Sequence, residues 1–141
     1  MEDKYFDILL KLALKAFKKN EVPVSALIVQ NGRILARTYN TRQKCKKIWH
    51  HAEILAIEKA SKKIKSWHLD DCDLYVTLKP CLMCESIIKQ SHIRNVYYIL
   101  DKSNEKREYN KTKIVKANKS MYESAYSQYL RDFFQNKRDK K

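Results

Sequence analysis

Two cysteines and one histidine stand at spacings that suit a metal ion. Cys81 and Cys84 follow Pro80, and three positions apart they share one face at the start of a predicted helix. A helix N-terminus carries partial positive charge, which stabilises the thiolate form that metals bind. His51 offers an imidazole as a third ligand, and Glu53 follows two positions later. Three protein ligands beside a carboxylate are the pattern of a catalytic zinc, which keeps its fourth position open for water.

Other interpretations of the cysteines stay open. A Cys-x-x-Cys pair alone is a weak signal, because redox pairs, structural zinc sites and chance all produce it. Buried or redox-active cysteines that bind no metal are therefore one alternative. A structural zinc would need a fourth protein ligand, and Cys45 is the candidate because it lies in the segment before His51. The other histidines are predicted to be loop or surface residues: His50, His68 and His92.

The length and the charge of the chain limit the classes of protein to which it can belong. A chain of 141 residues predicts a single domain over residues 1–141. Its formal charge of +14 indicates a polyanionic partner, either nucleic acid or an anionic membrane surface, although an AT-rich coding genome would also enrich lysine. No apolar run reaches the roughly 20 residues of a membrane span, and Met1–Asp3 lacks a signal-peptide pattern. We therefore expect a cytoplasmic protein with reduced cysteines and no membrane partner.

The hydrophobic periodicity predicts the elements that must position these residues. Helical spacing predicts helices over residues 2–19, 51–63, 81–90 and 121–134, the last with one aromatic face. Runs of β-branched and apolar residues predict strands over 22–29, 33–39, 72–78 and 95–100, with a short edge strand over 112–117. The segments between them, 40–50 (basic) and 102–111, are predicted to be loops.

The order of these elements places the candidate ligands together. The strand, helix and strand over residues 72–100 predict two parallel strands with a right-handed crossover. Cys81 then follows the carboxyl end of a central strand, where sites of open α/β sheets cluster. Residues two apart in mid-helix point away from each other. His51 and Glu53 can therefore share a site only where the chain enters its helix.

With these residues in view, the chain resembles a known family over nearly its whole length. His-x-Glu followed by Pro-Cys-x-x-Cys is the signature of zinc-dependent nucleobase deaminases. Within them the chain is similar to the tRNA-specific adenosine deaminases (TadA), a branch of the cytidine and deoxycytidylate deaminase-like zinc family. Four further stretches carry the likeness: Glu21–Val24, Asn40, Leu74–Leu78 and Asp132–Phe134. The departures are Ser25 for a usual glycine, Lys79 for a usual glutamate, and a shorter segment after Asp101.

The resemblance implies a fold and a reaction. The fold would be a three-layer α/β/α cytidine-deaminase-like fold, with about five strands in a mixed sheet and helices on both faces. The reaction would be zinc-dependent hydrolytic deamination of adenosine to inosine at the wobble position of a tRNA anticodon, in a homodimer that binds the anticodon stem-loop. Two alternatives remain: deamination of a free nucleobase or nucleotide of guanine or cytosine type, and a non-catalytic, zinc-stabilised nucleic-acid-binding protein.

The resemblance also assigns roles to residues. It gives His51, Cys81 and Cys84 as zinc ligands and Glu53 as the catalytic carboxylate that transfers protons. It gives Asn40, Val22 and Ala52 as substrate contacts. An alternative for Asn40 is a residue that caps the loop and touches no ligand.

Overall fold

The computed structural model describes residues 2–101, 113 and 116–139. The chain divides into two compact units, Met1–Glu105 and Lys106–Lys141, and each is described by itself. The loop predicted over 102–111 lies outside the described residues, as do positions 112, 114 and 115 of the edge strand predicted over 112–117. These predictions, and that of one domain over residues 1–141, stay predictions.

The first unit is built on a mixed sheet with helices. Its elements in chain order are α1 (Asp3–Lys18), β1 (Ser25–Gln30), β2 (Arg33–Tyr39), α2 (Arg42–Cys45), α3 (Ala52–Ile64), β3 (Cys72–Leu78), α4 (Leu82–Gln90) and β4 (Asn95–Leu100). Among the described residues the sheet has four strands in the order β2-β1-β3-β4, where about five were expected. β1 pairs antiparallel with β2 and β3, whereas β3 and β4 are parallel. The parallel pair joined by α4 confirms the predicted strand–helix–strand unit.

The first strand begins three residues later than the β-branched run predicted. The N–H of Val24 donates to the carbonyl of Val22 at 2.7 Å, which closes a tight turn with Pro23 at its centre. Proline has no N–H to give to a neighbouring strand, so it favours a position outside the ladder. Val22 therefore lies before β1 and is 58% exposed.

The predicted hairpin turn between β1 and β2 is present. Asn31 has φ 49° and Gly32 has φ 77°, so both central residues have the positive φ of a type I′ turn. Gln30 and Arg33 pair directly across this turn. The dipeptide Asn-Gly thus fixes where β2 begins and which of its side chains face the core.

Both faces of the sheet are covered. Leu27 and Val29 of β1 pack with Leu9 under α1, whereas Ala26 and Ile28 point to the other face, against α3 and α4. Alternate residues of a strand point to opposite faces, so a strand buried on both sides needs a continuous apolar run. This arrangement confirms the expected α/β/α layering with helices on both faces.

The second unit contains α5 (Ser120–Asp139), which confirms the predicted terminal helix. The rings of Phe133 and Phe134 lie 5.4 Å apart, and Lys137 Nζ lies 5.1 Å from the centre of the Phe133 ring. In the part of the chain that the structure describes, no helix combines the length and apolar character needed to cross a bilayer.

Candidate active site

Two helix N-termini hold the three candidate metal ligands. His51 is the residue directly before α3 and has extended backbone angles, φ −74° and ψ 149°. Cys81 holds the same position before α4, with φ −71° and ψ 171°, and Cys84 lies in the first turn of that helix. The extended backbone at His51 meets the geometric requirement noted above, because only there can an imidazole and the side chain of Glu53 serve one site.

The ligand atoms lie at distances that suit a small tetrahedral ion. His51 Nδ1 is 3.4 Å from Cys84 Sγ and 3.8 Å from Cys81 Sγ, and all three ligand atoms lie within 4.8 Å of one another. Sulfur and nitrogen ligands of a tetrahedral zinc stand about 3.5 to 3.8 Å apart. The donor set of one imidazole and two sulfurs therefore fits a metal of the zinc type.

The two sulfurs of this group share a proton unequally. A hydrogen bond from the Cys84 thiol, helped by His51, lowers the pKa of Cys81 to about 3 against the cost of burial. The same hydrogen bond, together with burial, raises the pKa of Cys84. The lowered pKa favours the thiolate form of Cys81, which is the form that binds metals.

Cys45, the candidate fourth ligand, does not join the group. Among the described residues, the group of three or more potential ligands within 4.8 Å of one another consists of His51, Cys81 and Cys84. Cys45 is exposed at the end of α2. Three protein ligands leave one position of a tetrahedral metal for water, which is the arrangement of catalytic sites rather than structural ones.

Glu53 is a buried carboxylate beside the metal-ligand group. Its side chain is in the first turn of α3 and the residue is only 4% exposed. Burial raises its pKa, although nearby Cys84 and the charge of His51 oppose this effect. Its Oε1 has no hydrogen-bond partner among the described residues. A buried polar atom without a partner is costly, so a fold retains one chiefly where a reactant or bound water completes it.

The three residues predicted to contact substrate lie in different environments. Asn40 is buried, and its Oδ1 accepts a hydrogen bond of 2.8 Å from the backbone N–H of Ala52. Its amide nitrogen, Nδ2, donates to no atom of the described residues. The side chain of Ala52 is fully buried, and its carbonyl accepts a 2.6 Å hydrogen bond from Thr38. Asn40 therefore caps α3 and keeps a free donor, while substrate contacts by Asn40, Ala52 and the exposed Val22 stay predictions.

Glu21, to which the residue pattern assigns no role, organises the segment before His51. Its carboxylate, in a residue 5% exposed, accepts backbone hydrogen bonds of 2.9 Å from Gln43 and 2.8 Å from Lys44. These bonds cap α2, a short helix where the sequence predicted only a loop. Glu21 stands in the Glu-Val-Pro-Val stretch, but its partners are backbone amides, which no residue pattern could reveal.

Hydrogen bonds also join the two ends of the segment from residue 41 to residue 50. The N–H of Thr41 donates to the carbonyl of His50 at 3.1 Å, and Thr41 Oγ1 lies 3.1 Å from His50 Nδ1. His50 therefore contacts Thr41 at the other end of the loop, and it is not a member of the metal-ligand group. The basic residues of this segment are exposed: Arg42, Lys44, Lys46 and Lys47. A fixed, positively charged loop therefore leads directly into the metal-ligand group.

Known proteins of similar sequence are tRNA-acting deaminases. The "tRNA-specific adenosine deaminase" of Aquifex aeolicus is 41% identical over 104 residues, which are 72% of this chain and 69% of the relative. The protein of that name from Rickettsia bellii is 45% identical over 91 residues, 63% of each chain. The one from Bacillus subtilis is 39% identical over 97 residues, 69% of this chain and 60% of the relative. The chain thus spans between three fifths and seven tenths of these relatives.

Solved structures show the same fold. A structure from a study of A-to-I editing by tRNA:A34 deaminases aligns with TM-score 0.71 and 34% identity, over 73% of this chain and 75% of that one. Guanine deaminase from Bacillus subtilis aligns with TM-score 0.79 over 93% of this chain and 94% of its own, at 22% identity, a likeness of fold alone. A family model described as MafB19-like deaminase matches residues 1–138. The chain therefore belongs to the MafB19-like deaminase family.

Proposed function

We propose that this protein hydrolyses the amino group of adenosine at the wobble position of a tRNA anticodon, giving inosine, with zinc held by His51, Cys81 and Cys84. The observation that carries the proposal is the buried carboxylate of Glu53, with Oε1 unpartnered among the described residues, beside a three-ligand metal group. The substrate class is supported by the relatives above, which are named for tRNA, and by the formal charge of +14.

The proposed reaction adds water to the adenine ring and releases ammonia. Zinc, when bound by these ligands, supplies an activated water at neutral pH and a fixed position for it. Glu53 would carry both protons: its carboxylate takes one from the attacking water and gives it to the ring nitrogen. It then takes the proton of the hydroxyl group left on the ring carbon and gives it to the amino group, so that the carbonyl forms as ammonia leaves. Its raised pKa, caused by burial, suits a carboxyl group that must hold a proton during turnover.

Substrate orientation is assigned to the loop that precedes α3. Asn40 Oδ1 caps that helix, and Asn40 Nδ2 donates no hydrogen bond to a described residue. In the proposal this donor binds the nucleoside, and the cationic residues 42–47 neutralise nearby phosphates. A reacting base must leave its stack, and anticodon loops present bases that are already splayed.

The two alternatives predict different products. A free-nucleobase deaminase would convert guanine, cytosine or free adenosine, and it would not need the excess of lysine to bind these uncharged substrates. A non-catalytic zinc protein would need a fourth protein ligand and would have no use for a buried carboxylate with a free oxygen. The three-ligand group and Glu53 favour the enzyme.

The test is inosine formation from an unmodified anticodon stem-loop with adenosine at the wobble position, run beside free adenosine, guanine and cytosine. We expect conversion of the stem-loop alone. Glu53→Gln is expected to lower the rate by about 10²-fold or more, as for loss of a general acid–base group. Glu58→Gln is the matched control, because Glu58 is an exposed glutamate on the same helix.

The zinc content of both variants separates the possible outcomes. Glu53→Gln must keep its zinc, since Glu53 is not a member of the ligand group. Full activity in that variant would refute its role in proton transfer, and conversion of a free base with no conversion of the stem-loop would refute the proposed substrate.

We also propose a homodimer in the cytoplasm, the compartment where free zinc-binding thiols stay reduced. Sedimentation analysis measures the dimer directly.

A further inference from the structure

An exposed aromatic ring lies in the basic segment next to the metal-ligand group. Trp49 is 47% exposed, and Ile48 beside it is 60% exposed. Lys47 Nζ lies 5.9 Å from the centre of the Trp49 ring. Proton transfer and metal binding, as proposed above, use neither Trp49 nor Ile48, so both side chains are available for another contact.

The backbone around Trp49 is fixed on both sides. The N–H of His50 donates to the carbonyl of Lys47 at 3.1 Å, which closes a turn with Trp49 in it. The bonds between Thr41 and His50 close the segment, and the carboxylate of Glu21 anchors its other half. The ring is therefore displayed from a structured turn, so little backbone entropy is lost when a ligand binds it.

Trp49 is also close to the reacting centre. Its Cα is two residues from that of His51, so the two Cα atoms are at most about 7 Å apart. The His51 ring reaches from there to the two sulfurs. A nucleotide adjacent to one held at the metal group would pass within reach of the indole.

We propose that Trp49 is a stacking site for the base next to the reacting nucleotide in single-stranded RNA. The proposal rests on the proposed function and adds the residue that binds the flanking base. When the reacting base leaves its stack, its neighbour loses a stacking partner. An indole face replaces that partner, and the cations of residues 42–47 neutralise the phosphates on either side.

The chain offers a matched control, because it contains two tryptophans. Trp67 is 63% exposed and follows the C-terminal end of α3, whereas His51 precedes the start of that helix. A helix of 13 residues is about 20 Å long, so Trp67 is far from the metal-ligand group. Its substitution tests for the general effect of removing an exposed tryptophan.

The first measurement is the affinity for the anticodon stem-loop, with Glu53→Gln as the background because its slowed turnover keeps the RNA unreacted while binding is measured. Trp49→Ala is expected to raise Kd by about five-fold or more, because stacking of a base on an aromatic ring contributes that much. Trp49→Phe is expected to restore part of the affinity, and Trp67→Ala to leave it unchanged. Equal Kd values for Trp49→Ala and its parent would overturn the proposal.

The second measurement reports the contact itself. In Trp67→Phe, Trp49 is the sole fluorescent indole, and we expect the stem-loop to quench it with the same Kd. No quenching at saturating RNA would overturn the stacking site. Trp49 emission that changes with protein concentration and not with RNA would also overturn it, because it would indicate that the ring contacts a second copy of the chain. Stem-loop that quenches Trp49 but is never deaminated would refute the proposed function instead, and deamination without quenching would refute only the stacking site.

Discussion

The capping bond between Asn40 and Ala52 permits a test that separates two roles of one side chain. Asn40→Asp keeps an oxygen that can accept the 2.8 Å hydrogen bond from the Ala52 N–H, but it removes the Nδ2 donor. Asn40→Ala removes both. Because aspartate and asparagine cap helices about equally well, the two variants differ in structure chiefly through the cap.

The magnitudes follow from burial. Asn40 is 6% exposed, so Asn40→Ala leaves a buried N–H without its partner, which costs about 1–3 kcal/mol of unfolding free energy. In Asn40→Asp the cap persists, but the new carboxylate is buried, so we expect a loss of about 1 kcal/mol or more from desolvation and not from loss of the cap. If Nδ2 binds the nucleoside, both variants lose that hydrogen bond, and kcat/KM falls by about tenfold in each.

Urea unfolding and inosine formation measured on the same preparations provide the comparison. Thr38→Val is the control, because it removes the 2.6 Å hydrogen bond to the carbonyl of Ala52 and leaves the Asn40 side chain and its bond to the Ala52 N–H in place. We expect it to lower stability and leave kcat/KM unchanged at a temperature where it is folded. An Asn40→Asp variant with full activity would show that Asn40 only caps the helix.

Two further predictions concern the loop and the thiols. Glu21→Ala removes two charge-assisted hydrogen bonds, so the amides that it binds should exchange hydrogen at least about tenfold faster, with Glu21→Gln intermediate; unchanged exchange measured by mass spectrometry would contradict the anchoring role. A thiol reagent at pH 8 should modify Cys45 quickly and spare Cys72, whose burial raises its pKa to about 11 and so leaves it protonated. A chelator should then expose Cys81 and Cys84, and Cys45→Ser should abolish the fast phase; fast modification of two thiols before chelation would show that Cys72 is accessible or that a metal ligand is free.

Three of the four strands were predictable because apolar and β-branched runs stand between turn residues. Residues 33–39, 72–78 and 95–100 match β2, β3 and β4 to the residue, since turn residues end each apolar run. The error at the start of β1 came from treating Pro23 as part of the run, although proline cannot donate to a ladder. The site was predictable for a different reason: metal ligands have recognisable residue types and spacing, and a helix start is the only place that suits His51 and Glu53 together.

What the sequence could not reveal are contacts whose partner is the backbone. Glu21 binds the amides of residues 43 and 44, and Asn40 binds that of residue 52, across separations of 12 to 23 residues. Any residue supplies the same N–H group, so the identity of the partner carries no information. Such contacts position the loop and the helix start, and they become visible only when the fold brings distant segments together.

The starts of α3 and α4 show how the site takes precedence over local stability. Serine, threonine, aspartate or asparagine before a helix typically contributes about 1 kcal/mol by capping a free N–H, yet His51 and Cys81 occupy these positions and neither side chain caps its helix. Their side chains face the metal-ligand group instead. At α3 the missing cap is supplied from another segment by Asn40. A substitution such as His51→Ser would improve the local sequence for a helix and remove a ligand, so at these two helix starts the metal-ligand group takes precedence over capping.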